Sequence, residues 1–403
     1  MNVNTTFRVL LIIKSERMNL KIHLFVLFAM PVLLFSCIEK YYPELDSKYE
    51  NVLVVDGMIS NEPGPYYIKL SVASTVNDRE FLPLSGYNVA IIDDAGTTEQ
   101  LSEISPGTYT TSPNGIQGVV GRKYKTQFVS PDEKIYQSDF EVLKNPIGID
   151  TVYAIFEAHA NPDGIFPYEG YQFYLDTKIA PGDTNFYMWR LEKSFEFRSD
   201  FLISHVYNGS LRPFSNADSL QTCWKTDKIQ QIFTFKTTGM SEPVVTKFPL
   251  NYVNTETREL MERYSLRVKQ FTITENAYTF WNNVREQNTT QGSLYTKQPF
   301  QIRGNVYNTE TPDETVFGSF LVAGITEKRI FVNRPAAILR YSVCTLEDAD
   351  YKNVGTVFMT KPDEWPLYIT TDVNGIRAFP NQDCINCQLR GGTIVKPDFW
   401  TEY

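Results

Sequence analysis

Between residues 52 and 139 the chain is cut at roughly 8–12-residue intervals by clusters of Gly, Pro, Asn and Asp. The stretches between the cuts, 52–55, 66–72, 89–92, 123–129 and 134–139, are rich in branched and aromatic residues. The cuts include Asn61-Glu62-Pro63-Gly64-Pro65, Asp93-Asp94-Ala95-Gly96 and Pro106-Gly107. An amphipathic helix needs about 11 residues or more to show its period, so segments this short read as strands. The 27 Phe and 24 Tyr of the chain favour the same answer, because such side chains pack well on a pleated surface. An antiparallel sandwich over 51–145 is predicted. Stacking against sugars or peptides is the functional alternative for so many aromatic rings.

Beyond residue 146 the pattern stays β but its elements lengthen. Gly170-Tyr171-Gln172-Phe173-Tyr174-Leu175-Asp176-Thr177 and Asn185-Phe186-Tyr187-Met188-Trp189-Arg190-Leu191-Glu192 alternate apolar and polar residues. Pro181-Gly182-Asp183 lies between them, so the two are expected to pair as a hairpin. Residues 228–235, 264–273, 300–306, 316–323, 330–333 and 337–343 read as further strands. One stretch changes period. Ala277, Phe280, Trp281 and Val284 fall at i, i+3, i+4 and i+7, a helix face that starts at Thr274 or Glu275 and stops at Gly292. Trp281 is then a core anchor, with ligand stacking as its alternative role. The prediction is a mainly β chain with a boundary near Pro146. A larger antiparallel β domain with one or two short helices follows over 146–403.

The first 36 residues read differently. Residues 24–35 are an apolar run behind Lys21 and His23, the pattern of a secretory leader. A membrane span would need about 20 apolar residues. Residues 1–17 carry a second apolar patch at 9–13 that no leader needs, so Met18 is the expected start. Leu34-Phe35-Ser36-Cys37 resembles the lipobox of bacterial lipoproteins. That resemblance makes Cys37 the lipidation site, carrying a diacylglyceryl thioether and an acyl chain such as palmitate, with 37–50 a spacer. The leader holds four cations against Glu16, so a chain of net charge −9 becomes −12 without it. An acidic surface with no basic run argues against nucleic acid and against electrostatic docking on anionic lipid.

Four further cysteines, Cys223, Cys344, Cys384 and Cys387, fit an oxidising compartment and two disulfides. Three pairings are open. The expected arrangement has Cys384 and Cys387 clamping the C-terminal segment to two distant strands. A zinc site would need Cys223 and Cys344 to complete Cys384-x-x-Cys387, and a redox pair would need a helix start that this turn-rich sequence lacks.

No catalytic motif emerges. Behind the leader only His159 and His205 remain, which excludes an HExxH site, and there is no Gly-x-Ser-x-Gly elbow, phosphate loop or dinucleotide fingerprint. No metal or cofactor is expected. Asp348-Ala349-Asp350 and Asn161-Pro162-Asp163-Gly164 are fragments of calcium loops without the full acidic spacing, and read as turns. Paired carboxylates remain open, since their separation is a three-dimensional fact.

Several stretches in order carry a family resemblance. They are Val54-Val55-Asp56-Gly57-Met58-Ile59 with the turn after it, Gly118-Val119-Val120-Gly121, Ala277-Tyr278-Thr279-Phe280-Trp281 and Gly304-Asn305-Val306-Tyr307-Asn308. Val316-Phe317-Gly318-Ser319-Phe320, Cys384-x-x-Cys387-x-x-x-Gly391-Gly392 and Lys396-Pro397-Asp398-Phe399-Trp400 complete the set. Together they resemble the domain-of-unknown-function 4249 family of Bacteroidota lipoproteins. The resemblance implies an immunoglobulin- or transthyretin-like module followed by a larger β domain. It also implies an outer-membrane lipoprotein, displayed on the cell surface and often encoded beside a TonB-dependent receptor, and it brings no catalytic residues. The expected function is a binding or accessory subunit of such a transporter. The alternatives are an exported hydrolase of polysaccharide or peptide and a structural subunit of an envelope assembly complex.

Overall fold

The computed structural model describes residues 52–73, 82–162, 164–178, 185–240, 244–290, 302–346, 355 and 359–401. The leader, Cys37, the 37–50 spacer, Pro181-Gly182-Asp183, Gly292 and Asp348-Ala349-Asp350 lie outside these residues. The first principal strands in chain order are β1 (Leu53–Ser60), β2 (Tyr67–Val72), β3 (Asn88–Asp93), β4 (Lys123–Val129) and β5 (Ile135–Ser138). Then come β6 (Thr151–His159), β7 (Tyr168–Lys178), β8 (Phe186–Arg198), β9 (Thr222–Lys236), β10 (Val244–Asn254) and β11 (Arg263–Ile273). Helix α1 (Glu275–Thr290) precedes β12 (Val306–Asn308) and β13 (Val316–Asn333). Strands hold 48% of the described residues and helices 9%, so the chain is mainly β as predicted.

One long sheet runs in the order β9-β8-β11-β13-β1-β2 and continues into two short strands, Thr108–Thr110 and Ser102–Ser105. Its pairs are antiparallel except β1 with β13, which run parallel from Leu53↔Val316 to Ser60↔Ala323. At one end β1 and β2 pack on a second sheet, β12-β5-β4-β3, around Val55, Ile68, Ile91, Tyr124 and Phe128. At the other end β8 and β11 pack on a third sheet, β6-β7-β10, around Phe173, Tyr187, Trp189, Tyr264 and Val268. Fully burying side chains of this size contributes about 1.5–3 kcal/mol each. Trp189 can be buried because its Nε1–H donates to Gln270 Oε1 at 2.9 Å, directly across the β8–β11 pair. Gln270 in turn donates to the Ile147 carbonyl at 2.7 Å.

The first sandwich is completed by residues from far along the chain. β12 pairs with β5, and β13 pairs with β1. The Gly304-Asn305 and Gly318 stretches make this possible. A Cβ on Gly318, whose φ is +79°, would lie 1.9 Å from the Val55 carbonyl oxygen, and one on Gly304 would lie 1.6 Å from the Gly318 carbonyl oxygen. Asn305 then accepts from Phe320 N at 2.9 Å and donates to Phe320 O at 2.8 Å, so its amide stands in for a neighbouring strand.

Several local expectations are corrected. Residues 170–177 and 185–192 do not form a hairpin: β7 pairs with β6 and β10, and β8 with β9 and β11. Both carry apolar faces that meet across one core, Phe173 and Leu175 against Tyr187 and Trp189, so they stack instead of pairing. Residues 337–343 are not a strand, although Leu339 still packs on the second core. Of the described residues 302–306, only Val306 enters a strand, and 316–323 with 330–333 are one continuous 18-residue strand. Helix α1 forms with Thr274 as its cap, the Oγ1 accepting from Ala277 N at 3.3 Å. Ala277, Tyr278, Trp281 and Val284 face the sheet, but Phe280 does not belong to that group.

The two disulfides are Cys223–Cys387 and Cys344–Cys384. Cys384 and Cys387 therefore do clamp the C-terminal segment. Cys223 lies on β9, while Cys344 lies in irregular chain and not on a strand.

Candidate functional site

Alternation along β8 divides its side chains between two faces. Tyr187, Trp189 and Leu191 enter the second core, while Phe186, Met188, Arg190 and Glu192 point the other way. The same parity puts Arg267, Lys269 and Phe271 of β11 beside them, with Leu321, Glu327 and Arg329 of β13. This second face has three zones. The apolar zone, with Met188, Phe271 and Leu321, is roofed by α1 through Trp281. The far zone is closed by the C-terminal segment: Phe331 meets Trp400 edge-on with centroids 5.4 Å apart, and Trp400 Nε1 donates to Glu196 at 3.2 Å.

Between them runs a charged strip. Arg329 donates to Glu192 at 2.9 Å, and Arg267 lies 3.6 Å from the same carboxylate while also bonding Glu327. Lys269 reaches Glu62 at 2.9 Å and Glu327 at 3.7 Å. Where the strip meets the roof, a cavity of about 460 Å³ opens, with Asp56, Met58, Arg190, Lys228, Lys269 and Trp281 among its walls. A second recess of about 700 Å³ shares Asp56, Gly57, Met58 and Lys228 with it, so the two form one groove beside β1. The first volume is in the range of small-molecule sites.

Arg190 is the unusual member of this wall. Its guanidinium lies 4.7 Å from the Trp281 ring. Among the described residues it has no hydrogen bond, and no carboxylate lies within 4.0 Å. Burial pushes its pKa down, with the more distant charge of Asp56 opposing, and an arginine remains charged at neutral pH regardless. The Trp281 Nε1–H of the same side chain is buried and has no acceptor among the described residues. Opposite Arg190 the β8–β9 register slips between Trp189 and Leu191, a bulge that leaves Gln230 beside the cavity.

The residues singled out from sequence do not converge here. Among the described residues Asp200, Cys344 and Cys384 place donor atoms within 4.8 Å of one another. The two sulfurs are bonded to each other, which removes the thiolates zinc would need. Asp200 is held by Arg258 at 2.7 and 3.0 Å, accepts from Cys344 N at 3.2 Å, and has Arg390 at 3.7 Å. This is a salt-bridged clamp. His159 stacks on Tyr252 at 4.0 Å with Glu157 3.4 Å away, and no serine or cysteine joins them. His205 Nδ1 is 3.0 Å from Ser204 Oγ, and that hydroxyl donates to the Ile369 carbonyl. Burial, with Arg377 adding to it, lowers the His205 pKa, and no carboxylate partners it among the described residues. Among the described residues neither histidine stands between a hydroxyl or thiol nucleophile and a carboxylate. Asn161 and Gly164 form a turn, with Gly164 N donating to Asn161 O at 3.4 Å.

Sequence reasoning assigned Trp281 to the core and missed Arg190. One signal was present. Arg190 is the only charge among residues 186–191, and it follows Phe186 and Met188 on their face of the strand.

The fold and site define a mainly β protein with two sheet-on-sheet cores and a charged, aromatic-roofed cavity on the sheet they share. The chain belongs to the family described as domain of unknown function (DUF4249), whose profile matches residues 38–329. The matched span contains the whole cavity and ends before the disulfide-clamped C-terminal segment. No curated protein matches the chain.

Proposed function

We propose that this chain is a lipid-anchored binding protein of the outer membrane, displayed on the cell surface and serving as an accessory subunit of a TonB-dependent transporter. The cavity between α1 and the charged strip is its ligand site. The observation that carries this reading is the cavity itself. It is built on strands and, among the described residues, holds a guanidinium without a hydrogen bond or carboxylate and has no nucleophile paired with a base. The Leu34-Phe35-Ser36-Cys37 stretch supports the anchor. Among the described residues no helix is long and apolar enough to cross a membrane.

Two experiments test it. Cys37→Ala is expected to abolish labelling by a palmitate probe and release the protein from membranes; a mutant that is still labelled contradicts the anchor. Cross-linked, tagged protein purified from membranes is expected to bring down an outer-membrane barrel. Repeated purification without one contradicts the partner. Loss of one uptake pathway on gene deletion fits this role, whereas damage to many barrels would point to envelope assembly.

One observation keeps a hydrolase as the second reading: Asp56 and Glu192 both line the cavity. Paired-carboxylate hydrolysis needs the two about 5–10 Å apart. Glu192 is already engaged by Arg329 and Arg267, which leaves it poorly placed to handle a proton. Turnover of a glycan by the native protein, abolished in Asp56→Asn, would favour the hydrolase.

A further inference from the structure

We propose that the cavity binds a small organic anion, with its anionic oxygens on the Arg190 guanidinium beside the Trp281 ring and its apolar body on Met58, Met188, Phe271 and Leu321. The proposal rests on the cavity being the ligand site, and it adds the chemistry of what enters.

The argument is an account of partners. Arg267, Lys269 and Arg329 each have a carboxylate within 4.0 Å, supplied by Glu62, Glu192 or Glu327. These charges cancel within the wall. Arg190 and Lys228 have none among the described residues, and Asp56 is the remaining uncompensated acid. Two free cations against one free anion leave the cavity one positive charge in excess, which favours an anion.

Geometry selects Arg190 over Lys228 as the recognising group. Lys228 is exposed at the shared rim of the two recesses, where water solvates its ammonium. Arg190 is half-buried with its guanidinium over an indole ring, so water solvates it poorly, and its planar guanidinium presents its N–H donors as a rigid fork. Such a fork matches two oxygens of a carboxylate or phosphate. Met58, Met188, Phe271 and Leu321 give the rest of the ligand an apolar wall. A carboxylate and a phosphate monoester share this head-group chemistry.

Isothermal titration at constant ionic strength, on the full exported chain, distinguishes the possibilities with three probes: octanoate, octanamide and hexyl phosphate. Octanoate is expected to bind with Kd on the order of 1 mM or below, and octanamide at least about tenfold more weakly. Arg190→Met is expected to weaken octanoate about tenfold or more while leaving octanamide unchanged. Arg190→Lys keeps the charge without the fork, and it should lose only part of that affinity even if Arg190→Met folds poorly. Tighter binding of hexyl phosphate, lost equally in Arg190→Met, supports the same site with phosphate as its head group. Equal binding of octanoate and octanamide, or unchanged octanoate affinity in Arg190→Met, overturns the anion site and leaves the cavity reading standing. Absence of binding by all three probes overturns both.

Discussion

Two arginines on one face of the central sheet lie over aromatic rings, and their surroundings are opposite. Arg329 sits 3.6 Å from the Phe399 ring, at the end closed by the C-terminal segment, and donates to Glu192 at 2.9 Å. Arg190 sits 4.7 Å from the Trp281 ring, at the end roofed by α1, and faces a cavity with no carboxylate partner among the described residues. Burial lowers the pKa of both, but only Arg329 has a hydrogen-bonded carboxylate opposing that shift. A half-buried charge with its partner in place is a staple. The same charge without one carries a desolvation cost that an anionic ligand can offset. The difference separates the closed end of this face, which holds the fold together, from the open end, which is left to bind.

If the closed end is structural, damage there should be expensive. The largest effect is expected from replacing Cys223 and Cys387 together by Ala. These residues are fully buried and 164 positions apart, so the loss should be about 4 kcal/mol, read as a fall in the calorimetric Tm. An unchanged Tm would break the comparison. Arg329→Met comes next. It strips Glu192 of its closest partner, and because both side chains are partly exposed, at 16% and 25%, the expected cost is about 2 kcal/mol in urea unfolding.

The two disulfides should also differ from each other. Cys223–Cys387 is inside the second core, whereas Cys344 is half-exposed with Arg390 Nη2 3.2 Å from its sulfur. A cation beside a sulfur stabilises the departing thiolate, so Cys344–Cys384 should be reduced first, roughly tenfold faster, under limiting reductant followed by peptide mass spectrometry. Reduction of both at one rate would contradict this. The smallest effect belongs to Trp400→Phe, which keeps an aromatic ring against Phe331 but loses the bond to Glu196 and part of the buried ring volume, at a cost of about 1.5 kcal/mol.

Much of the first sandwich was legible because its strands are short and bounded by strong turn residues. Lys123–Val129 forms where its alternation places it, with Tyr124, Thr126 and Phe128 inward. Helix α1 was legible from its change of period. Pairing was not. β7 and β8 look like a hairpin locally, yet their apolar faces are more use to each other across a core. Residues 337–343 alternate like a strand, but Arg340 N bonds the Thr255 carbonyl and the chain follows the surface towards the Cys344 disulfide. Of the site, the sequence shows Arg190 as a lone charge in an apolar run. The absence of its partner depends on where Glu62, Glu192 and Glu327 come to lie, and strand register decides that.

The most direct measurement is the thermal stability of Arg190→Met beside that of Arg329→Met, both without ligand. If Arg190 is an unpaired binding group, Arg190→Met removes an uncompensated charge, keeps contact with Trp281 and raises Tm by about 2–4 °C. Arg329→Met lowers it. A fall of similar size in both variants would mean that Arg190 is a staple like its counterpart, and would contradict the account.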